Sequence, residues 1–426
     1  MSTETTLPIY DLLTEIYDQQ SAVPEYRQKA FNSFRSQGFP TIKNEEWKYT
    51  NVQPFLKEQY TAAVTEATVT TEDIKPFLIK GLDAHLIVLV NGKLNKSLST
   101  FQSDVLISIE PLTEVPGYAA DSISFTNNAF AALNTALTTS GLFIEVKANA
   151  TINKPLHIIH YYTSDDNVFV QPRHMVCVHK NAKLDIIESV ARDESKGIVW
   201  VNSVTQAYVE ENAQFSQYVL QNGAANTRLV NFTEAVQHKY SLYNNFTFTF
   251  PGTELVRNTL HTRLAESATE THLYGLYIGA DNQLIDNHTL VDHRKPNCLS
   301  NELYKGVLAG HAKAVFNGKV YVHQEAQKTN AFQQNNNLQL SDKASINSKP
   351  QLEIFADDVK CSHGSTVGQF NPDALFYLRS RGIEEATARA LLIGAFAFDV
   401  VEKVTIPALR EHIETLLNNN MENWYA

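Results

Sequence analysis

The chain has 426 residues, 43% of them hydrophobic and 19% charged, which gives room for two or three domains with a large core and is not the composition of a disordered polymer. A formal net charge of −11 without a long basic run argues against nucleic acid as the main partner, because phosphate binding needs a lysine and arginine footprint. The three cysteines, Cys177, Cys298 and Cys361, are too few and too widely spaced for a disulfide framework or a zinc CxxC pair.

The N-terminal stretch MSTETTLPIYDLLTEIYDQQ has neither a basic n-region nor an apolar h-region, so no signal peptide is expected and the chain reads as cytoplasmic. No apolar run approaches the ~20 residues that span a bilayer, so no membrane partner is expected. Helical spacing of apolar residues in YDLLTEIYDQQ and PEYRQKAFNSFRSQGFP predicts two helices, the second stopped by Gly38 and Pro40. The segment NEEWKYTNVQPF follows, with Trp47, Tyr49 and Phe55 as aromatic anchors that dock this helical arm on the next unit.

From about residue 84 to 369 the pattern is strand-rich. HLIVLVNGKLN reads as a hairpin turning at Asn91-Gly92. Beyond it the runs NAKLDIIES, NAQFSQYVL, HAKAVFNGKVYVH and KASINSKPQLEIFA share one grammar: a small residue, polar residues, then alternating apolar positions. No helical period of useful length shows across this span. A sandwich, a jelly roll or a parallel β-helix could produce it. The length of the run, the Asn- and Gly-rich turns and the loose recurrence favour stacked parallel coils from about 140 to 365. Such a solenoid leaves an edge that must be capped or paired, and helices at both ends are natural caps. The predicted fold is therefore mainly β, a right-handed parallel β-helix core with α-helical N-terminal and C-terminal regions, divided as 1–135, 136–369 and 370–426.

The last unit is helical. Asn371 is a plausible N-cap, Pro372 the first helical residue and Gly382 the residue past the end. EEATARALLIGAFAFDVVEKV and PALREHIETLLNNN continue it, and Leu391, Leu392, Phe396 and Phe398 give more apolar surface than three short helices bury among themselves. Some of it packs on the solenoid or forms a partner-binding face.

The chemistry candidates are few. Cys361 and His363 stand two residues apart before Gly364, and in an extended strand they share a face. A thiolate beside an imidazole suits soft or borderline metals and can carry sulfur, but two ligands do not close a site, so a second chain would have to complete it. The alternative is a small packed thiol with a histidine capping a turn at Gly364. A thiol nucleophile with a histidine base would need an orienting group that Asp357 and Asp358 do not obviously supply. His288 and His293 in DNHTLVDH face opposite sides of a straight strand, and surface histidines on a coil rim are the plainer reading. No carboxylate pair, P-loop, GxGxxG or GxSxG sequence stands out.

The segment PQLEIFADDVKCSHGSTVGQ, followed by DALFYLRSRGI and AFAFDVV, strongly resembles the SufB/SufD family of the SUF iron–sulfur cluster assembly machinery, and EEWKYT at Glu45–Thr50 is similar to the family's N-terminal motif. Within it the chain looks like the D-type branch. The B-type branch carries a cysteine after an Asp-Lys pair and a glutamate after the motif histidine, where this chain has Ala344 and Gly364. The resemblance implies a non-catalytic scaffold subunit. It would pair with a SufB-type subunit through the β-helix, near residues 320 to 350, and bind a SufC-type ATPase through its C-terminal helices, with Phe376, Tyr377, Arg379 and Arg381 near the contact. It implies an iron–sulfur cluster held transiently at the shared interface, with His363 and Cys361 as this chain's metal-site residues. In isolation the same edge could pair with itself as a homodimer. A stand-alone metal-dependent or thiol enzyme on a β-solenoid is the alternative from another class.

Overall fold

The computed structural model describes residues 7–20, 22–62, 68–112, 128–193, 195–222 and 225–425. From Lys183 onward, strands that follow one another in sequence fall alternately into two sheets. Lys183–Arg192 pairs in parallel with Gln214–Gln221, and that strand pairs with Leu242–Thr249. The intervening Val199–Val209 lies in the other sheet, parallel to Thr227–Gln237. One coil therefore takes two strands, and residues stacked on successive coils are 27 to 32 apart in sequence. Each sheet has ten strands among the described residues. This is the parallel β-solenoid expected from the alternation, running from His85–Val90, which pairs with Leu156–Tyr162, to Lys360–Gly368.

The Asn-Ala grammar marks one corner of each coil. Asn149, Asn181 and Asn212 all take left-handed backbone with φ of 64°, 60° and 57°, a conformation asparagine tolerates better than most residues. Their side chains form a ladder, Asn212 Nδ2 donating to Asn181 Oδ1 at 3.0 Å and Asn181 Nδ2 to Asn149 Oδ1 at 2.8 Å. The alanine after each, Ala150, Ala182 or Ala213, turns into the coil core, where Leu184, Ile186 and Phe215 follow by alternation. The Asn91-Gly92 hairpin forms as read, with both residues at positive φ, 48° and 85°, as a type I′ turn requires.

Each sheet also has an apolar outer face, and the chain ends cover them. Helices Pro8–Asp18 and Glu25–Gln37 lie over the sheet that carries Trp200, which is fully buried among Phe39, Phe55, Phe130 and Phe169. A further helix, Ala129–Leu137, joins this layer, in a span where no helical period is visible. All nine of its residues are buried, so it has no polar face to create one. Over the other sheet, helices Glu385–Val401 and Pro407–Tyr425 bury Phe246, Phe248, Leu276 and Val307 beneath Ile393, Ala397, Leu409 and Ile413. Lys305 Nζ, itself almost inaccessible, reaches up to the Phe396 carbonyl at 2.8 Å and to Asp399, tying the layer down.

Candidate functional site

The solenoid ends in two strands with one neighbour each. Among the described residues, Ser345–Ile354 pairs only with Lys313–Val322, and Lys360–Gly368 only with Asn330–Gln339. The unpaired edges therefore lie at 345–354 and 360–368. The edge expected near 320 to 350 is mostly interior, because Lys313–Val322 and Asn330–Gln339 are paired on both sides.

Cys361 and His363 sit on the last strand, in register with Ala331 and Gln333. Those two partners point inward and are buried, whereas Phe332 between them faces outward and is 45% exposed. Alternation thus places Cys361 and His363 together on the inward face of the final coil, as the spacing suggests. Their environments differ. Cys361 is half-buried against the coil core, and burial pushes its thiol up, away from the thiolate that ligates metal. His363 is exposed, because no further coil covers it, and it makes no hydrogen bond or ion pair among the described residues. The strand runs on to Gly368 without a turn at Gly364, so a turn-capping role for His363 is ruled out. Ala344 is buried in the coil core.

Behind His363 lies a polar column that spacing alone does not reveal. Register aligns Glu302 with Gln333 and Gln333 with His363, and all three line one depression at the coil end. Glu302 is 1% exposed. It accepts hydrogen bonds from Thr289 Oγ1 at 2.5 Å and from Gln333 Nε2 at 2.7 Å. Burial pushes its carboxyl up to about 7 in spite of these donors. The spacing of 31 residues from Glu302 to Gln333 is one coil period, a signal usable only once the period is known.

The DNHTLVDH histidines are not on a surface rim. His293 is fully buried against Ser300 Oγ at 2.9 Å. His288 faces the N-terminal arm, its Nδ1 3.1 Å from Glu46 and its Nε2 2.9 Å from Asp286. Around them Arg257 and Thr50 both donate to Asp286, Lys349 Nζ pairs with Glu45 at 2.6 Å, and the Arg257 guanidinium lies 3.8 Å from the Trp47 ring centroid. Burial alone would raise Asp286, but Arg257, His288 and Thr50 outweigh it and hold the carboxyl at about 2. The EEWKYT segment is thus an electrostatic clasp. Trp47 and Phe55 anchor it as expected, whereas Tyr49 is 45% exposed.

Two family models match the chain: the SufBD protein N-terminal region over residues 5–158, and the SUF system FeS cluster assembly SufBD core domain over residues 160–396. The chain belongs to the SufBD family. An iron-sulfur cluster assembly SufBD family protein of Synechocystis is 32% identical over 409 residues, covering 92% of this chain and 90% of its own. The iron-sulfur cluster assembly protein SufD of Escherichia coli is 30% identical over 384 residues, 88% of each. That of Bacillus subtilis is 24% identical over 317 residues, 72% of this chain and 70% of its own. The SufBD core match takes in Glu302, Gln333, Cys361 and His363, and the N-terminal match takes in the Trp47 clasp.

The C-terminal helices of this SufBD chain offer a second surface. Helix Pro372–Ser380 is capped by Asn371, whose Oδ1 accepts from the Asp373 and Ala374 amides, and it has no buried residue. Phe376 and Tyr377 are 74% and 57% exposed. Arg381 lies 5.2 Å from the Tyr377 ring centroid, and Arg379 pairs with Glu385 at 3.0 Å. Among the described residues no group of three or more His, Cys, Asp or Glu is placed to hold a metal ion, and no helix is long and apolar enough to cross a membrane.

Proposed function

We propose that this chain is a D-type scaffold subunit of a cytoplasmic SUF iron–sulfur cluster assembly complex, with an N-terminal unit at 1–135 whose His85–Val90 strand starts the stack, the main solenoid at 136–369 and a helical module at 370–426. In this reading a SufB-type solenoid pairs with the free edges at 345–354 and 360–368, and a SufC-type ATPase docks on the exposed face of helix Pro372–Ser380. The cluster is cargo, formed at the shared interface, and this chain contributes ligands rather than a reaction centre of its own. The observation that carries the reading is the placement of His363: an exposed imidazole with no partner among the described residues, facing inward on the last coil, beside a free strand edge. A neutral imidazole is a borderline ligand that suits iron. With Ala344 and Gly364 where the B-type branch carries cysteine and glutamate, the thiolate and carboxylate would come from the partner. The resemblance to SufD of Escherichia coli supports the D-type assignment.

The test is to purify the three-component complex carrying His363→Ala and measure its bound iron and sulfide and its melting temperature. Loss of cluster from an intact complex with an unchanged melting temperature is the expected result. Cys361→Ser is expected to keep most of the cluster, because its thiol is a packed group with a raised pKa. Normal cluster content in His363→Ala would overturn the reading.

A further inference from the structure

We propose that Gln333 is a positioning residue for His363: the exposed ring, unbonded as it stands, turns so that the Gln333 side-chain oxygen accepts its N–H and fixes its tautomer and orientation, and Glu302 holds the carboxamide for this task. The inference rests on the reading of His363 as a cluster ligand, and it comes from how one buried amide is held.

Gln333 is 3% exposed. Its Nε2 is spent on Glu302 Oε2 at 2.7 Å, while its Oε1 is buried and accepts no hydrogen bond among the described residues. A buried acceptor left unpaired is destabilising, so its retention calls for an explanation. The orientation of the amide is dictated from behind. Glu302 takes hydrogen bonds on both oxygens, from Thr289 on one side and Gln333 on the other. Above about pH 7 Glu302 is a carboxylate that accepts only donors, so the amide presents nitrogen to Glu302 and turns its oxygen away. The remaining cross-strand neighbour of Gln333 is His363, whose ring has no partner among the described residues.

The seat of the amide is also built from the opposite sheet. A Cβ at Gly318 would stand 2.3 Å from Gln333 Nε2 and 2.9 Å from its Cδ. Only a residue without a side chain leaves room for the carboxamide there. An imidazole that ligates a metal through one nitrogen presents N–H at the other. A fixed carbonyl oxygen on that N–H sets which nitrogen is free to ligate and raises its basicity. The column Glu302, Gln333, His363 has this order, with the acid deepest and the ligand at the open end.

The experiment has two readouts. In the full-length chain labelled with 15N-histidine, two-bond 1H–15N spectra at pH 8 report the His363 tautomer, assigned by its loss in His363→Ala. A single tautomer is expected in the parent chain. A shift toward the mixed population of a free imidazole is expected in Gln333→Met, which conserves volume, and in Gly318→Ala, which displaces the amide without touching the last strand. In the assembled complex, cluster release to an iron chelator is expected to be about 10- to 100-fold faster in Gln333→Met, the usual scale for loss of a ligand's hydrogen-bond partner. An unchanged tautomer in both folded variants would overturn the inference, as would faster release without a tautomer change. Cluster retained in His363→Ala would instead sink the ligand reading, which the tautomer measurement does not depend on.

Discussion

The Arg257 guanidinium lies over the Trp47 ring, 3.8 Å from its centroid, and pairs with the buried Asp286. One cation therefore fastens the N-terminal arm to the solenoid wall and neutralises a carboxylate that is 1% exposed. Removing it leaves Asp286 charged and uncompensated. Arg257→Ala is expected to cost about 3–5 kcal/mol in urea unfolding. Arg257→Ala combined with Asp286→Asn should cost less than the sum of the single changes, because the second removes the stranded charge. Additive effects would show that the pair is not coupled.

The exposed face of helix Pro372–Ser380 is expected to serve binding and not stability. Phe376→Ala and Tyr377→Ala should shift unfolding free energy by no more than about 0.5 kcal/mol, the usual range for surface changes, while abolishing capture of the ATPase. Deleting the whole module is a poor test. It would bare Phe246, Phe248, Leu276 and Val307, at roughly 1.5–3 kcal/mol each, which approaches the entire stability of a domain.

The free edge at 360–368 can be blocked without breaking the coil. The Lys360 amide donates to Thr329, so along a parallel strand the amides of even-numbered residues point to the inner neighbour and those of odd-numbered residues to the open side. Val367 is odd-numbered and 51% exposed. Val367→Pro should leave the isolated chain folded and prevent association with the partner solenoid, read as elution volume. A complex that elutes unchanged would exclude this edge from the interface.

Buried neutral histidines should make stability fall on mild acidification. Burial pushes His157 and His293 down to about 4 and His174 to about 3, from an ordinary 6.5. Between those values the unfolded chain binds protons that the folded chain refuses, so stability declines as pH drops from about 6.5 toward 4. Each group contributes a slope of up to about 1.4 kcal/mol per pH unit. Urea midpoints measured across this window should show the decline, and His293→Gln should make it shallower by one proton's share.

Local signals in the sequence were read well and long-range ones poorly. The Asn91-Gly92 turn, the Asn371 cap and the Asn-Ala corners each depend on a few adjacent residues with restricted backbone options. Helix Ala129–Leu137 escaped notice because burial on every side erased its period. His288 looked like a surface residue because its partner Glu46 is 242 residues away. The inward placement of Cys361 and His363 follows from their spacing. The support behind His363 does not, because Gln333, Glu302 and Gly318 reach it from three other strands.

The C-terminal cover has a consequence for how the chain is made. Tyr218 hydrogen-bonds Thr405, 187 residues later, across the layer that seals the second sheet. At about 5–20 residues per second, the ribosome delivers the first strands of that face roughly 10 to 40 seconds before the helices that cover it. During that interval a stacked, growing coil displays a stripe of Tyr218, Phe246 and Phe248 to solvent. The nascent chain is therefore most vulnerable to aggregation after its coils have formed and before its last helices emerge. Holding chaperones would be needed at that stage of synthesis, not at its beginning.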